Sequence, residues 1–550
     1  MRTVSFILLI VVQLLIAVTA EPLKYCAEPL KSKPGQFTIY EGHHPLCSSF
    51  LTYEASLEKD GWDRVQMTVN PAGSFSDLTK MAGLGFLEGN ILAPRITAHR
   101  ENFLKAFTDD FFKGKGIPSG VMDFLQSNIG YLRYNCKATP DDPYWANINL
   151  ILGQVDGMLA GYNAAIAAGT AGTTTAVTIE DLYLLMSQGD LLDIAKIVDA
   201  NNRPDFSAMT PVEVDEYLAK TSHCSALISL DDDYEDLVAG HATWFLYSAM
   251  TRILKEVDLT GIASEHVKVK SSVFSSYPAV LASVDDFYTT SAQLAVMETT
   301  NNIVDQDLYD GLTPQAVLTW MRAIVTNRLA TTGQEWVDTF KRFNSGTYVC
   351  QWMIVDYKQF TPGEEPEEDS GLVTIIETIP GGSADADVTD VLLDQGFWPS
   401  YNIPYSEIIY DDLGYDTLEE KYGDIWSYAE CPRATIFKRD APAVNHIGDL
   451  GRLLRENNWE HDELSLGNPG NAIAARYDLR KPAQGPIAMG AIDAKVVDVA
   501  HMKAGHIMAI AGPTYSGQPA WQFSKSSLFS PHAGLPDGPW RYGWQQFPQE

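Results

Sequence analysis

The stretch "HCSALISLDDDYEDLVAGHATWF", residues 223–245, sets one cysteine at the head of a short apolar run. A short apolar run closed by turn residues reads as a strand. "CSALISL" fits that pattern. The three acids that follow, Asp231, Asp232 and Asp233, read as a solvated turn rather than the calcium cluster their composition suggests. Upstream, "NNRPDFSAMTPVEVDEYLAKTSH" (201–223) holds two prolines, several acids and no strong periodic face, the marks of a linker. Cys224 therefore has three readings: a small buried hydrophobe, half of a disulfide, or a nucleophile where a linker meets a strand.

The third reading needs a base, because a free thiol is only slightly ionised at neutral pH. The "CGSCW" context of papain-like enzymes is missing. The residue's own backbone amine can serve instead once the peptide bond before it is cut, since an α-amino group titrates near pH ~8. A linker followed at once by Cys and a strand is what that arrangement requires. The residues alone leave the three readings open.

Working outward, residues 101–200 are mainly helical. "RENFLKAFTDDFFKGKG" (100–116) and "INLILGQVDGMLAGYNAAIAAG" (148–169) carry apolar residues at helical spacing, and "IEDLYLLMSQGDLLDIAKIVDA" (179–200) reads as a helical pair. "TAGTTTAVT" (170–178) is a loop. Beyond Cys224, "ATWFLYSAMTRILKEV" (242–257) reads as an amphipathic helix with Trp244 on its apolar face. "VKVKSSVFSSYPAV" and "DDFYTTSAQLAVMETT" read as strands, and "TYVCQWMIVDYKQF" and "GLVTIIETIPG" flank the acidic turn "TPGEEPEEDS" as a hairpin. Strand runs with separate helices predict an α+β chain of packed sheets covered by helices.

The first twenty residues, "MRTVSFILLIVVQLLIAVTA", have a basic start, an apolar stretch and small residues at the end, the composition of a secretory signal peptide. The mature protein is expected in a secreted, vesicular or lysosome-like lumen, without a transmembrane segment. Its 39 Lys and Arg stand against 71 Asp and Glu, a net charge of −32, which argues against a nucleic-acid partner. Hydrophobic content of 45% excludes a mostly disordered chain. Six cysteines, Cys26, Cys47, Cys136, Cys224, Cys350 and Cys431, permit three disulfides; a free Cys224 leaves at least one more unpaired. GxSxG, HExxH, phosphate-loop and dinucleotide motifs are missing, and the adjacent His43 and His44 lack spaced partners, so neither a metal nor a cofactor is expected.

The blocks "HCSALI", "AGHATWF", "FSSYPAVLASVDDFY", "METTNN", "FNSGTY", "WPSYNIP", "PRATIFKRD" and "AIAGPT" occur in this order, and in them the chain resembles the phospholipase B-like proteins of the N-terminal-nucleophile hydrolases. The likeness covers most of the mature chain. It implies a four-layer αββα sandwich, a signal peptide at 1–20, an N-terminal chain over 21–223 and a catalytic chain over 224–550. Self-cleavage between His223 and Cys224 would expose Cys224 as the nucleophile, and the two chains would stay associated. His241, Trp244 and Thr300 match pocket residues, Asn402 the oxyanion donor, and Arg433 a cation beside the nucleophile that would favour its thiolate. Family members tend to carry Asn-Asn after "GTY", where this chain has Val349-Cys350. The implied activity is hydrolysis of acyl esters of glycerophospholipids through an acyl-thioester. An amidase of the same mechanism, or a lipid-binding protein with little activity, are the alternatives.

Overall fold

The computed structural model describes residues 22–72, 74–221 and 224–549. The expected signal peptide and His223 lie outside the described residues. Between them the chain forms a mixed α+β architecture.

Eleven strands make the large sheet, running from Gly382–Asp387 at one edge through Val373–Ile379, Cys350–Asp356, Leu294–Thr300, Phe287–Thr290, Ser271–Ser276 and Ile253–Asp258, then Asp63–Val69, Ser49–Glu54, Leu23–Pro29 and Phe37–Glu41. Six make the small sheet: Phe397–Ser400, Ser225–Leu230, Leu237–Ala242, Asp493–Val497, Ile507–Ala511 and Gln545–Phe547. All pairings within the two sheets are antiparallel except one. Asp63–Val69 and Ile253–Asp258 run parallel, and they join the strands that precede Cys224 to those that follow it. The segment before Cys224 is thus not only helical; it supplies four strands of the large sheet.

Period-two alternation places the cores. Ala226, Ile228 and Leu230 point into an apolar layer shared with Leu254, Phe287, Met297 and Met353 of the large sheet. Leu227, between them, points the other way, onto Ile436, Phe437 and Leu450 of the helices Pro432–Asp440 and Ile447–Leu453. The outer face of the large sheet packs on the helices Asp77–Ile91, Ala93–Phe112, Pro143–Ala168 and Thr319–Leu329. An apolar run without alternation at 225–230 is explained: both faces of the strand are covered.

Three local expectations change. Residues 242–257 are not a helix but a short strand Trp244–Leu246, a 3-10 turn and the strand Ile253–Asp258. Pairing of Trp244 with Ala491 and of Ile253 with Ser276 outweighs the helical spacing of the apolar residues. The expected linker ends in a helix, Pro211–Thr221, with Val214, Leu218, Ala219 and Thr221 buried. Thr210 and Glu213 bond reciprocally across its first turn, and Pro211 needs no donor there. Finally, only Cys26 and Cys47 are bonded to each other; Cys136, Cys224, Cys350 and Cys431 are free and buried.

Candidate active site

Cys224 opens the strand Ser225–Leu230 at the inner end of the small sheet. Its φ of +89° is rare for a side chain other than glycine. Asp286, Tyr348 and Asn402, all around it, also have positive φ, at +47°, +49° and +69°. Four residues of positive φ from four separate segments, Cys224 itself among them, gather at this site, and such clustering is expected where function, not folding, sets the backbone.

On the carbonyl side of Cys224 sits Arg433, in the first turn of the helix Pro432–Asp440. Its Nη1 donates to the Cys224 carbonyl at 2.7 Å and to Ser225 Oγ at 3.2 Å. Its Nη2 donates to the Tyr401 carbonyl at 2.6 Å and to Asn402 Oδ1 at 2.7 Å. The guanidinium lies 4.3 Å from the Trp244 ring centroid. Asn402 in turn donates from Nδ2 to the Thr300 carbonyl at 2.7 Å. Arg433 therefore fixes the backbone and the amide next to the thiol. Lys495 and Arg433 both interact electrostatically with the thiol.

The thiol side is acidic. Sγ of Cys224, a ring nitrogen of His241 and a carboxylate oxygen of Glu298 lie within 4.8 Å of one another, all buried. Glu298 accepts from Thr300 Oγ1 at 3.3 Å and from the Tyr348 hydroxyl at 3.2 Å, and that hydroxyl also reaches Asp286 Oδ2 at 2.6 Å. Burial holds the Glu298 carboxyl up at about 7 against hydrogen bonds from Cys350, Asp286, Tyr348 and Thr300. Burial and then the Glu298 charge push Asp286 well above the carboxylate range. The pair therefore shares a proton, held on Asp286 and turned toward Glu298.

The expectation of a depressed thiol pKa is overturned. Burial first, and then Glu298, push the Cys224 thiol well above its ordinary value, although the Trp244 backbone N–H and Lys495 favour the thiolate. Its surroundings thus favour the protonated thiol over the thiolate.

His241 pairs with Ala226 across the small sheet, and its Nε2 lies 2.8 Å from the Glu298 carbonyl. A carbonyl only accepts, so the proton is assigned to Nε2 and Nδ1 faces Thr243 Oγ1 at 3.5 Å. Lys495 donates to that same Thr243 hydroxyl and to Asp493 at 2.9 Å. Burial, then Lys495, holds His241 well below its ordinary pKa. With both ring nitrogens engaged, the three-residue cluster offers a metal ion no free imidazole. Asp493 and Asp285 also clamp the buried Arg252, whose Nη1 meets Asp285 at 2.7 Å, so the base of the site is a compensated charge network.

Two cavities of about 60 Å³ flank the site. One is lined by Cys224, Trp244, Thr300, Tyr348, Phe107 and Leu192. The other is lined by Trp244, Asn402, Arg433, Tyr401 and Tyr477. Trp244 forms a wall of both, and so does the helix Pro211–Thr221, through Lys220 and Thr221 in the first and Asp215, Leu218 and Ala219 in the second. Of the residues expected in the pocket, Trp244 and Thr300 line the thiol-side cavity, while His241 lies behind it. Sequence reading missed Glu298, Asp286, Tyr348 and Lys495. Glu298 had a signal: it is an acid inside "LAVMETT", a strand buried along its whole length, where a carboxylate needs partners.

Residues 49–547 match the Phospholipase B family model. Phospholipase B-like protein B of Dictyostelium discoideum is 36% identical over 93% of this chain and 87% of its own length. Phospholipase B-like protein D of the same organism is 36% identical over 93% of this chain and 89% of its own length. Protein C is 34% identical over 92% and 88%.

Proposed function

The chain belongs to the phospholipase B family, and on that premise we propose that it is a lipid acyl hydrolase whose nucleophile is the Cys224 thiol. The observation that carries this reading is the gathering of four positive-φ residues, Cys224 and three others, at that thiol, with Arg433 and Asn402 on one side and a small cavity on the other.

The thiol becomes the nucleophile toward lipid once Cys224 has cut the bond between His223 and itself. The new α-amine then takes the thiol proton, the thiolate attacks an acyl carbonyl, the alcohol leaves, and water releases the fatty acid from the thioester. Asn402, oriented by Arg433, supplies a hydrogen bond to the tetrahedral oxyanion. Trp244 and Thr300 border the acyl group. Apolar sheets packed on each other and covered by helices on both outer faces support a four-layer αββα sandwich of the N-terminal-nucleophile kind. Among the described residues, no helix is long and apolar enough to cross a membrane. The signal-peptide composition of residues 1–20 supports a secreted or lysosome-like location.

The uncut chain is closed. A cavity of about 60 Å³ does not hold a fatty acyl chain, and the helix leading to Cys224 forms part of its wall. Cleavage frees the end of that helix. The two products stay together, because the parallel pairing of Asp63–Val69 with Ile253–Asp258 runs through the middle of the large sheet.

The test is intact mass and N-terminal sequencing of the purified protein under reducing conditions, beside Cys224→Ala. A new N-terminus at Cys224, missing from the variant, together with release of fatty acid from glycerophospholipids, is the expected result. Faster turnover of N-acyl amides than of esters would make the enzyme an amidase of the same mechanism. An intact chain at every pH from acidic to neutral would leave a lipid-binding protein.

A further inference from the structure

An N-terminal amine can serve as base only after the chain is cut, so the first cut needs another. We infer that Glu298 is the group that takes the Cys224 proton in self-cleavage, with Asp286 as its positioning residue. This rests on the self-cleaving reading above.

Glu298 is close by: its carboxylate oxygen lies within 4.8 Å of the Cys224 sulfur, in a buried pocket, a separation that one water can bridge. His241 is equally close and unsuited. Its Nε2–H is spent on the Glu298 carbonyl at 2.8 Å, Nδ1 faces the Thr243 hydroxyl, and Lys495 next to it opposes a second proton. The groups facing Glu298 come from every element around it. They are Asp286, with Asp285 and Arg252 beyond; Tyr348 and Cys350 from the neighbouring strand and its approach; Thr300 on its own strand; and Cys224, His241 and Lys495 from the small sheet. Thr300, Tyr348, Cys350 and Asp286 all present hydrogen to the carboxylate, which keeps one buried acid ionisable near neutrality instead of permanently neutral.

The step balances as follows. Glu298 accepts the proton from sulfur, and the thiolate adds to the carbonyl carbon preceding Cys224. The C–N bond then breaks, and Glu298 returns its proton to the departing nitrogen, leaving a thioester on sulfur and a free amine. Water adds to the thioester carbon, sulfur leaves and is protonated, and the upstream segment ends in a carboxylic acid. Glu298 is regenerated, and peptide plus water has become amine plus acid.

Cleavage of the purified full chain should therefore rise with pH through about 7, where Glu298 ionises, and level off above it. Glu298→Gln keeps the shape and removes the base. At pH ~8 it should cut about 10²-fold or more slowly, with the rise through neutrality gone. Asp286→Asn keeps a donor to Glu298, so its midpoint should stay near that of the wild type. Asp286→Ala loses the donor, so its midpoint should move to higher pH. If Glu298→Gln fails to fold, judged by its melting curve, the two Asp286 variants decide alone. The inference is overturned if Glu298→Gln cuts at the wild-type rate with the wild-type profile, or if neither Asp286 variant differs from wild type or from the other. The outcomes separate from failure of the underlying reading. A wild type uncut at every pH removes both; a wild type that cuts at Cys224, with Cys224→Ala uncut and Glu298→Gln normal, removes only this one.

Discussion

The two sides of Cys224 are built from opposite charge and opposite rigidity. On the carbonyl side, one guanidinium makes four hydrogen bonds of 2.6 to 3.2 Å: to the Cys224 and Tyr401 carbonyls, to the Asn402 amide oxygen and to the Ser225 hydroxyl. Both terminal nitrogens are fully committed. On the thiol side, two buried carboxyls share one proton beside groups that can rotate: a phenol that touches both, and a threonine hydroxyl and a thiol on Glu298. The first side holds geometry, and the second can move a proton. A nucleophilic acyl transfer needs both, because the oxyanion must form at a fixed point while the sulfur changes charge.

The sharpest way to break the comparison is to remove the atom between the two sides. Cys224→Ala should abolish both the cut and lipid turnover while leaving the melting temperature close to that of the uncut wild type, since Ala fills most of a cysteine site and the Arg433 contact is to the backbone carbonyl. Turnover surviving in this variant, measured as fatty-acid release, would place the chemistry elsewhere.

Arg433→Met tests the rigid side. It should lower turnover at least 10²-fold, because Asn402 loses its anchor, and it should also cost about 3 kcal/mol of stability by leaving buried carbonyl oxygens unpaired. The loss is joint because the guanidinium, besides anchoring Asn402, clamps the Cys224 and Tyr401 carbonyls. Arg433→Lys should not rescue, since one ammonium cannot match a planar fork bonded to two segments. Full activity in the lysine variant would reduce Arg433 to a point charge.

Asn402 separates side chain from backbone. Its φ of +69° lies where Asn is tolerated and Ala is strained. Asn402→Gly keeps the backbone conformation and removes the amide. If that amide is the oxyanion donor, Gly and Ala should both lose about 10²–10³ in kcat, and both lose the bonds to Arg433 and Thr300, with Ala about 1 kcal/mol less stable than Gly. A glycine variant of normal kcat would move the oxyanion donor to another group.

Which features were legible in the sequence follows from range. The helices over 93–112 and 143–168 and the hairpin of Cys350–Asp356 with Val373–Ile379 carry their own periodicity and turn residues, and they stand where expected. The segment 242–257 does not, because its apolar spacing satisfies a helix locally while its partners are strands far away in sequence. The helix Pro211–Thr221 was hidden by its acids, although its cap at Thr210 and Glu213 was in plain view. At the site, Cys224, Asn402 and Arg433 were reached through the resemblance, and the structure brings all three together. Asp286 and Tyr348 were not reached: an acid and a phenol next to strands look like ordinary surface residues until the two sheets close over them.

The smallest effect contrasts two buried glutamates. Glu377, like Glu298, is raised by burial to about 7, but it accepts from the backbone N–H groups of Tyr405 and Ser406 and from Gln351, just beyond Asn402 on the rigid side. A carboxyl whose folded pKa exceeds its unfolded value near 4.5 binds its proton more tightly when folded, so it adds stability at low pH that is lost as pH rises through about 7. Glu377→Gln removes that loss. Relative to wild type, the variant should gain on the order of 3 kcal/mol between acidic pH and neutrality, read from unfolding curves at matched ionic strength. The self-cleavage profile should keep its midpoint, because Glu377 does not face the sulfur. A Glu377→Gln chain whose cleavage midpoint moves would mean that the two sides of Cys224 are coupled through Asn402 rather than divided in labour, and the contrast between a rigid side and a proton-moving side would fail with it.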